Sequence, residues 1–580
     1  MAPSKSTGFR RSTVTILVLG LLLTVQIRLQ ASTGRSFVSF LLLDAAQEPS
    51  EEVIVNSTQG NPGFVDARTS TGTGNTEHRP DAELSHQIPA SADTISTPDQ
   101  ETLKDDSSNT FTSTEQEASV TEKLAFSIDG DTKKDANAEP KRPKKPLNVI
   151  VLYPDDWRHD DIGGVAPVVR TPFLNQLAQQ GIRFTHNAVT TSICWISRAT
   201  LFTGQYASRH KSLRIRQPLF YKEWDKTWPS LLQKAGYYVG HVGKWQYQNR
   251  GGIVQSLFNW TSLFEGQHWY KGEPAANYTR DETIRFLKER PKDRPFAATI
   301  AFYPPKAVTL NPTPGAQFKP SKNHYENVTI PVLPYNWSES HNRLPWFFQT
   351  DERFGKHRFS TRWQTAEQYQ LGMQHYYSLI TEVDQACREI VEFLKEENIL
   401  EDTLVIFTTD NGLFHGAHGL AGKWYPYSES IRIPLIIRDP RMPPSSTGTL
   451  NDDLTLNVDL APTILGAAGI SKPESMQGRD MSDLYLTEDE RSSSAPSSSA
   501  PWRNEFYYEF PLDNGKAMPT SSAVVRHDIK FIHWWHYNYT ELFNLTADPL
   551  EQHDVSNETS YASIYLELQA RHAQLQQSVL

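Results

Sequence analysis

The sequence predicts an α/β sandwich around a mainly parallel, mixed β-sheet, with a small antiparallel sheet near the C-terminal end. Between residues 148 and 468, short apolar runs alternate with helical stretches, which is the pattern of βαβ units. After a Ser/Pro-rich stretch at residues 491–501, three aromatic segments alternate polar and apolar side chains, as antiparallel strands do. These three segments cover residues 503–510, 523–535 and 537–545.

The first predicted strand is a continuous apolar run, NVIVLY at residues 148–153, which is typical of a strand buried on both faces. Similar runs occur at residues 237–242, 296–302, 404–408 and 434–437. The helical stretches between them cover residues 171–180, 226–235, 281–289, 367–397 and 457–468. Because strands joined by helical crossovers lie parallel, this order predicts a parallel sheet that is covered by helices.

The acidic surplus of the chain lies in one segment. Residues 48–140 contain 19 acidic and 6 basic residues, a charge of −13, whereas all 580 residues sum to −10, so the remainder carries +3. A nearly neutral remainder excludes a basic nucleic-acid-binding protein. The segment has few apolar side chains with which to form a core. We therefore expect a disordered stem over residues 31–145, a catalytic domain over residues 146–490, and a linker with a C-terminal subdomain over residues 491–580.

The N-terminal residues 1–30 have the character of a targeting segment. Lys5, Arg10 and Arg11 precede an apolar run at residues 13–25, which is shorter than a membrane-spanning helix needs. A cleaved signal peptide and an uncleaved, Golgi-type signal anchor both fit, and only the anchor would attach the chain to a membrane. Both predict a secreted or lumenal glycoprotein of the secretory pathway. Eight Asn-x-Ser/Thr sequons agree with this location: Asn56, Asn259, Asn277, Asn327, Asn336, Asn538, Asn544 and Asn557.

Two acidic pairs follow predicted strands. Asp155 and Asp156 come directly after the first strand, and Asp410 and Asn411 follow the strand at residues 404–408. Ligands of open α/β sheets bind at the carboxyl ends of strands, and carboxylate and amide oxygens bind Ca²⁺ or Mg²⁺. Helix capping and turn formation are the alternative roles for these residue types. The two pairs together predict a site for a hard cation.

Several motifs share their order with a known family. The segment TTSICWISRATLFTGQY at residues 190–206 resembles the signature of the formylglycine-dependent, type I sulfatases of the alkaline-phosphatase superfamily. Further blocks that resemble this family lie at residues 171–184, 236–245, 410–423, 458–463, 477–479 and 541–551. The resemblance covers residues 147–555 and implies the alkaline-phosphatase-like fold and the hydrolysis of sulfuric esters.

The resemblance also implies roles for individual residues. A formylglycine-generating enzyme would oxidise Cys194 to formylglycine, whose hydrate attacks the sulfate ester. The metal would bind residue 194 together with both acidic pairs; Ca²⁺ is expected before Mg²⁺, because an all-oxygen protein site suits the larger ion. Arg198 would orient the hydrate, while Lys244 and Lys423 would hold sulfate oxygens. A pairing of Cys194 with Cys387 is an alternative, although Cys387 lies on the apolar face of a long predicted helix.

Three positions depart from the family pattern. Ile196 replaces the usual Pro or Ala of the signature, Gln246 replaces a His, and Lys306 stands where the family often has Pro-His. Glutamine cannot act as a base, so His241 or His418, both near these blocks, would take over proton transfer, with His415 as a further candidate. Lys306 would serve as a general acid if burial lowers its pKa, and otherwise as a fixed charge on the sulfate.

Three functions stay open at this point. The 14 tryptophans of a glycosylated sulfatase suggest a sulfated carbohydrate as substrate, with a small aryl or steroid sulfate as the alternative. A phosphonate or phosphodiester hydrolase would use the same nucleophile, and the additional cation Lys306 suits the higher charge of a phosphate. The three departures would also suit a catalytically silent relative that binds glycans.

Overall fold

The computed structural model describes residues 14–18, 21–25, 146–214, 221–247, 252–264, 266–309, 311–332, 337–349, 353–491, 500–512 and 517–580. The predicted stem at residues 31–145 lies outside the described residues. Of the targeting segment the structure describes two strands, β1 (Val14–Val18) and β2 (Leu21–Val25), which pair antiparallel. None of the described helices is long and apolar enough to cross a membrane.

The central sheet of the described residues has eight strands. In chain order they are β3 (Asn148–Leu152), β4 (Ile182–Phe184), β5 (Tyr238–Gly243), β6 (Trp260–Leu263), β7 (Phe296–Ala301), β8 (Thr403–Thr408), β9 (Leu435–Arg438) and β10 (Thr449–Asn451). Their spatial order is β10-β4-β9-β8-β3-β7-β5-β6. The strands from β8 to β6 along this order pair parallel, whereas β9 pairs antiparallel with both of its neighbours. The mainly parallel, mixed sheet is therefore confirmed.

Helices cover both faces of this sheet. They are α1 (Pro172–Gln179), α2 (Cys194–Thr203), α3 (Ala207–His210), α4 (Tyr221–Trp224), α5 (Trp228–Lys234), α6 (Ile253–Leu257), α7 (Ala275–Glu289), α8 (Trp337–Arg343), α9 (Phe354–Arg362), α10 (Ala366–Glu396), α11 (Ser428–Ile431), α12 (Leu460–Ala467) and α13 (Ala562–Val579). Along β3, Val149 and Val151 pack into one hydrophobic core, while Ile150 and Leu152 pack into the other. A strand buried on both faces is why this run is continuously apolar.

Two predicted helices begin more than two residues away from their start in the structure. The stretch at residues 281–289 is the second half of α7, which begins at Ala275, directly after Pro274. The stretch at residues 457–468 divides into a 3₁₀ turn, Asn457–Asp459, and α12. The long helix α10 begins at a capping box, in which Thr365 and Gln368 exchange two hydrogen bonds of 3.1 Å.

The C-terminal subdomain contains the predicted antiparallel sheet. Its strands β11 (Glu505–Phe510), β12 (Ser521–Arg526), β13 (Ile529–Trp534) and β14 (Tyr539–Asn544) pair in sequence order. The segment predicted at residues 523–535 is a hairpin of two strands, because the chain turns between Arg526 and Ile529. Three successive polar residues, Arg526, His527 and Asp528, form this turn, and the predicted segment runs across them. Helix α13 packs on this sheet through Leu568.

Both cysteines of the chain lie in the described part, and both are free thiols. Cys387 is fully buried in the core between α10 and the sheet. The alternative of a Cys194–Cys387 disulfide is therefore wrong, and Cys387 is a core residue, as the apolar face of its helix indicates.

Candidate active site

Two acidic pairs meet at the carboxyl edge of the central sheet. Asp155 and Asp156 follow β3, and Asp410 and Asn411 follow β8, its parallel neighbour. The backbone amide of Asp156 donates to Oδ1 of Asp410 at 3.0 Å, and Nδ2 of Asn411 donates to Oδ1 of Asp156 at 2.7 Å. The structure thus brings together the four residues that the strand ends predicted, because neighbouring parallel strands end at the same edge of a sheet.

Cys194 joins these residues as the first residue of α2. Its thiol donates to Oδ1 of Asp155 at 3.3 Å, and ligand atoms of Asp155, Asp156, Cys194 and Asp410 all lie within 4.8 Å of one another. Oδ1 of Asn411 is buried and has no hydrogen-bond partner among the described residues. Three buried carboxylates and a free amide oxygen are hard donors, so this set fits Ca²⁺ or Mg²⁺.

Two buried cations, Lys244 and Arg198, pair with carboxylates of this cluster. Nζ of Lys244 donates to the carboxylate of Asp155, and Nη2 of Arg198 donates to Oδ2 of Asp410 at 3.3 Å. A second guanidinium nitrogen of Arg198 donates to the carbonyl oxygen of Lys244 at 3.3 Å. Arg198 also lies 5.1 Å over the centre of the Tyr153 ring. These contacts fix the positions of both cations relative to the sheet edge.

Lys423 contacts the cysteine directly. Its Nζ lies 2.8 Å from Sγ of Cys194 and also donates to the carboxylate of Asp156. Lys423 directly follows the short hairpin of Phe414–His415 with Ala421–Gly422, which places it at the site. Arg198, Lys244 and Lys423, the three cations that the resemblance implies, thus all contact Cys194 or the acidic residues around it.

Lys306 is the fourth cation of the site. Its Nζ lies 3.2 Å from Sγ of Cys194 and 3.4 Å from Oδ2 of Asp156. The Lys306 side chain is 23% exposed, whereas those of Lys244 and Lys423 are 2% and 7% exposed. The site therefore opens to solvent beside Lys306.

The carboxylates determine the ionisation of Lys306. Burial would lower its pKa, but the charges of Asp155 and Asp156 raise it well above its usual value. Burial therefore does not lower this pKa below its usual value, as the general-acid role requires, because the two carboxylates outweigh it. Beside these two carboxylates, Lys306 carries its positive charge.

The pKa values of the acidic groups also follow from burial and charge. Burial would raise the pKa of Asp155, but Lys244 and Lys306 hold it well below its usual value. Burial, followed by the nearby charge of Asp155, raises the pKa of Asp410 to about 6. The same two causes raise the pKa of the Cys194 thiol, so the unmodified residue 194 carries its proton.

His241, a predicted base, lies behind the cluster. Its Nε2 is 3.1 Å from the carbonyl oxygen of Lys244, and its ring packs against Phe202, Trp245 and Phe258. Burial lowers the pKa of His241 to about 3, so its ring is neutral at physiological pH. These contacts support the backbone of Lys244 and do not connect the ring to Cys194.

His418 and His415 also contact other groups. Nε2 of His418 lies 3.5 Å from Oε2 of Glu429, and Nε2 of Gln552 lies 3.3 Å from its Nδ1. Nδ1 of His415 lies 3.5 Å from Oδ2 of Asp161. Burial, followed by the charge of Arg158, lowers the pKa of His415 to about 3. These contacts do not include residue 194, so they favour neither histidine as a proton-transfer group there.

The structure also describes the two other departures from the family pattern, Ile196 and Gln246. Ile196 is fully buried in the hydrophobic core that packs against α2. Gln246 has a left-handed backbone with φ of 68°, and its Oε1 is buried without a hydrogen-bond partner among the described residues. Gln246 thus stands near Lys244 with an amide oxygen available to a donor.

Three residues that support the site were not predicted. The hydroxyl of Tyr376, in the middle of α10, donates to the carbonyl oxygen of Asp156 at 3.0 Å. The Tyr153 ring lies under Arg198. Nε2 of His268 lies 2.6 Å from the carbonyl oxygen of Lys306. Both tyrosines have the pattern of core positions in the sequence, and His268 lies outside every motif, so no local signal distinguishes them.

Comparisons with known proteins identify the family of the chain. A family model described as Sulfatase matches residues 147–470, and one described as N-sulphoglucosamine sulphohydrolase, C-terminal, matches residues 416–578. An N-acetylglucosamine-6-O-sulfatase of Bacteroides thetaiotaomicron is 25% identical over 514 residues, which cover 75% of this chain and 86% of that protein.

Solved structures share the fold. A structure of a protein in complex with its substrate D-glucosamine-2-N,6-O-disulfate superposes with a TM-score of 0.61 at 22% identity, and covers 75% of this chain and 98% of that one. A phosphonate monoester hydrolase of Agrobacterium radiobacter superposes with a TM-score of 0.59 at 22% identity, and covers 75% and 96%. At this identity the two structures support the fold alone.

Proposed function

The chain belongs to the sulfatase family and is a sulfuric ester hydrolase, and from this we propose that it acts on a sulfated carbohydrate with residue 194 as formylglycine. The observation that carries the proposal is the position of Cys194. Its sulfur lies within 3.3 Å of a buried carboxylate oxygen of Asp155 and of the ammonium groups of Lys306 and Lys423. A nucleophile there has cations beside it for the sulfate oxygens.

Residue 194 supplies the nucleophile after its maturation. A formylglycine-generating enzyme of the secretory pathway is the proposed partner, and the hydrated aldehyde would provide an oxygen that attacks sulfur. The thiol of the unmodified residue is protonated, because burial raises its pKa. Arg198 is placed by Asp410 and by the Lys244 carbonyl, so its guanidinium is available to orient the hydrate.

The proposed metal ligands are Asp155, Asp156, Asp410, Asn411 and residue 194. A bound cation would polarise the attacking oxygen and balance the charge of the three carboxylates. The supporting observations are the ligand atoms of Asp155, Asp156, Cys194 and Asp410, which lie within 4.8 Å of one another, and the unpartnered Oδ1 of Asn411. Ca²⁺ is proposed before Mg²⁺, because an all-protein oxygen cage suits the larger and more adaptable ion.

Three lysines would bind the sulfate group. Lys306 and Lys423 flank the sulfur of Cys194, and Lys244 contacts Asp155 next to it. Charge-assisted hydrogen bonds to sulfate oxygens would strengthen as charge develops on them in the transition state. The structural contacts of His241 and His418 leave the proton donor for the leaving alcohol to Lys306 or to water.

The carbohydrate substrate is proposed from relatives. One relative is an N-acetylglucosamine-6-O-sulfatase, and one structural neighbour binds a sulfated glucosamine. The test measures release of sulfate from glucosamine 6-sulfate and from 4-nitrophenyl sulfate by one purified preparation. A higher kcat/KM for the sugar supports the proposal, and a preference for the aryl ester indicates a small-molecule sulfatase.

A phosphonate or phosphodiester hydrolase is the second candidate. The observation in its favour is the fourth cation, Lys306, since phosphate groups carry more negative charge than a sulfate ester. Assaying the same preparation on a phosphonate monoester and a phosphodiester separates the two activities. Mass spectrometry of the Cys194 peptide separates both from a silent glycan-binding relative, which would retain its sulfur.

Location and domain organisation also stay proposals. The basic N-terminus with its apolar run and the eight sequons support a secreted or lumenal protein. We expect the stem at residues 31–145 to be dispensable for catalysis, because it carries none of the motifs and too few apolar residues to fold.

A further inference from the structure

An exposed tryptophan, Trp269, directly follows a histidine that contacts the backbone of Lys306. Trp269 belongs to a short hairpin, Trp269–Tyr270 with Glu273–Pro274, and its side chain is 41% exposed. Its indole Nε1 donates to the carbonyl oxygen of Lys319 at 3.1 Å. Most tryptophans of a folded domain are largely buried, so an anchored and exposed indole indicates a contact surface.

A buried histidine connects this tryptophan to the active-site lysine. His268 precedes Trp269 and is 3% exposed. Its Nε2 donates to the carbonyl oxygen of Lys306 at 2.6 Å, and its Nδ1 accepts from the backbone amide of Lys319 at 2.9 Å. These two bonds require one neutral tautomer. They also join the hairpin, the Lys306 loop and the Lys319 segment into one rim.

One residue of this rim, Lys306, contacts residue 194. The Nζ atom of Lys306 lies 3.2 Å from Sγ of Cys194, and its side chain is more exposed than those of Lys244 and Lys423. Trp269 is therefore linked through His268 to the backbone of the lysine whose side chain contacts residue 194. Three further lysines on these segments are exposed to solvent: Lys271, Lys319 and Lys322.

We propose that Trp269 and the exposed Lys319 form a subsite for a sugar ring of a sulfated saccharide, adjacent to the sulfate that reacts. The inference rests on the proposed function. It places the saccharide that carries the reacting sulfate, which is the leaving group, on this surface. The apolar C–H face of a pyranose can pack on the indole, which is rigid and loses little conformational entropy on binding. The lysines complement the negative charge of further sulfate groups.

A direct binding experiment tests the subsite. The probe is a sulfated glucosamine tetrasaccharide, and its Kd is measured by calorimetry with Ca²⁺ present in a Cys194→Ala background, where turnover does not interfere. Trp269→Ala is expected to raise this Kd about tenfold. Trp269→Phe retains an aromatic face and should stay within about threefold of the parent.

Two controls separate the subsite from other effects. Trp346 is a matched control, since it is an exposed tryptophan at 68%, and Trp346→Ala should leave the Kd within about twofold. Inorganic sulfate probes only the lysines around residue 194, and Trp269→Ala should leave its Kd within about twofold. Thermal unfolding of each variant verifies that it is folded.

Several outcomes would overturn the inference. They are an unchanged tetrasaccharide Kd for Trp269→Ala, an equal loss for the Trp346→Ala control, a Phe variant as weak as the Ala variant, or a parallel loss of sulfate binding. Release of sulfate from the same tetrasaccharide by the wild-type protein is measured separately. If no sulfate is released, the proposed function is refuted, whereas the measured Kd values still test whether Trp269 forms a subsite.

Discussion

The ammonium nitrogen of Lys306 lies 3.2 Å from the sulfur of Cys194, at the position where the family often has a histidine. Histidine at that place transfers a proton, whereas Lys306 is held as a cation by Asp155 and Asp156, which raise its pKa well above the usual value. A group with a higher pKa is a weaker acid. The position of this ammonium group beside residue 194 thus favours a role in binding the sulfate over a role in protonating the leaving group.

We predict that Lys306→Ala lowers kcat/KM by about 10- to 100-fold for both 4-nitrophenyl sulfate and a sugar sulfate, chiefly through KM. Loss of a charge-assisted hydrogen bond to the sulfate affects both esters equally, and Lys306→Arg should restore much of the affinity. Steady-state kinetics on both substrates provide the measurement. A much larger loss of kcat for the sugar, whose alcohol needs a proton, would instead identify Lys306 as the general acid.

The metal site yields the second prediction. Removing divalent ions with a chelator should abolish turnover, and Ca²⁺ should restore it and raise the Tm, because an ion that binds only the folded state stabilises it. Asp410→Asn keeps the size of the side chain and its contact with the Asp156 amide but removes a charge. This variant should lose activity and the Ca²⁺-dependent rise in Tm.

The exposed Asp452 provides the matched control, and Asp452→Asn should behave as wild type. Full activity of the wild-type protein after exhaustive chelation would contradict the metal prediction. An Asp410→Asn variant whose Tm still responds to Ca²⁺ would contradict the assignment of this ligand.

Acid should destabilise the protein through His268. Burial lowers its pKa to about 4, and the unfolded chain has a histidine pKa of about 6.5, so the unfolded state binds the extra proton between these values. Its stabilising contribution is complete above pH 6.5 and is lost as the pH falls towards 4. Relative to His268→Gln, the wild-type free energy of unfolding should fall by about 3 kcal/mol over this range.

Urea denaturation at several pH values measures this difference. Glutamine retains a donor and an acceptor for the Lys306 carbonyl and the Lys319 amide but does not titrate. The exposed His553 is the control, and His553→Gln should parallel the wild type. A pH-independent difference between wild type and His268→Gln would refute the prediction.

Substitution of His418 should affect stability more than turnover. The ring contacts Glu429, Gln552 and the face of Tyr427, and none of these contacts reaches residue 194. His418→Ala removes a buried ring from these contacts and leaves a cavity, which should cost about 2 kcal/mol of folding free energy. Steady-state kinetics and urea denaturation check both expectations. A loss of kcat with unchanged stability would return His418 to the catalytic residues.

The central strands and the acidic pairs at their ends could be predicted from local patterns. The run at residues 148–153 is apolar at every position because β3 packs into a core on each face, and its end places Asp155 and Asp156 at the sheet edge. Hairpin turns were harder to predict. Three successive polar residues at positions 526–528 form the turn between β12 and β13, but the apolar residues on both sides of them favoured one continuous segment.

Periodicity and motif order are properties of neighbouring residues, and they were sufficient to locate the α/β domain, the C-terminal sheet and the acidic pairs. Only the folded chain decides which distant side chains meet. Tyr376 reaches the carbonyl of Asp156 across 220 positions, and His268 reaches Lys306 across 38. Proximity to a motif placed His418 at the site, but its ring pairs with Glu429, because side-chain direction depends on packing between elements and not on spacing along the chain.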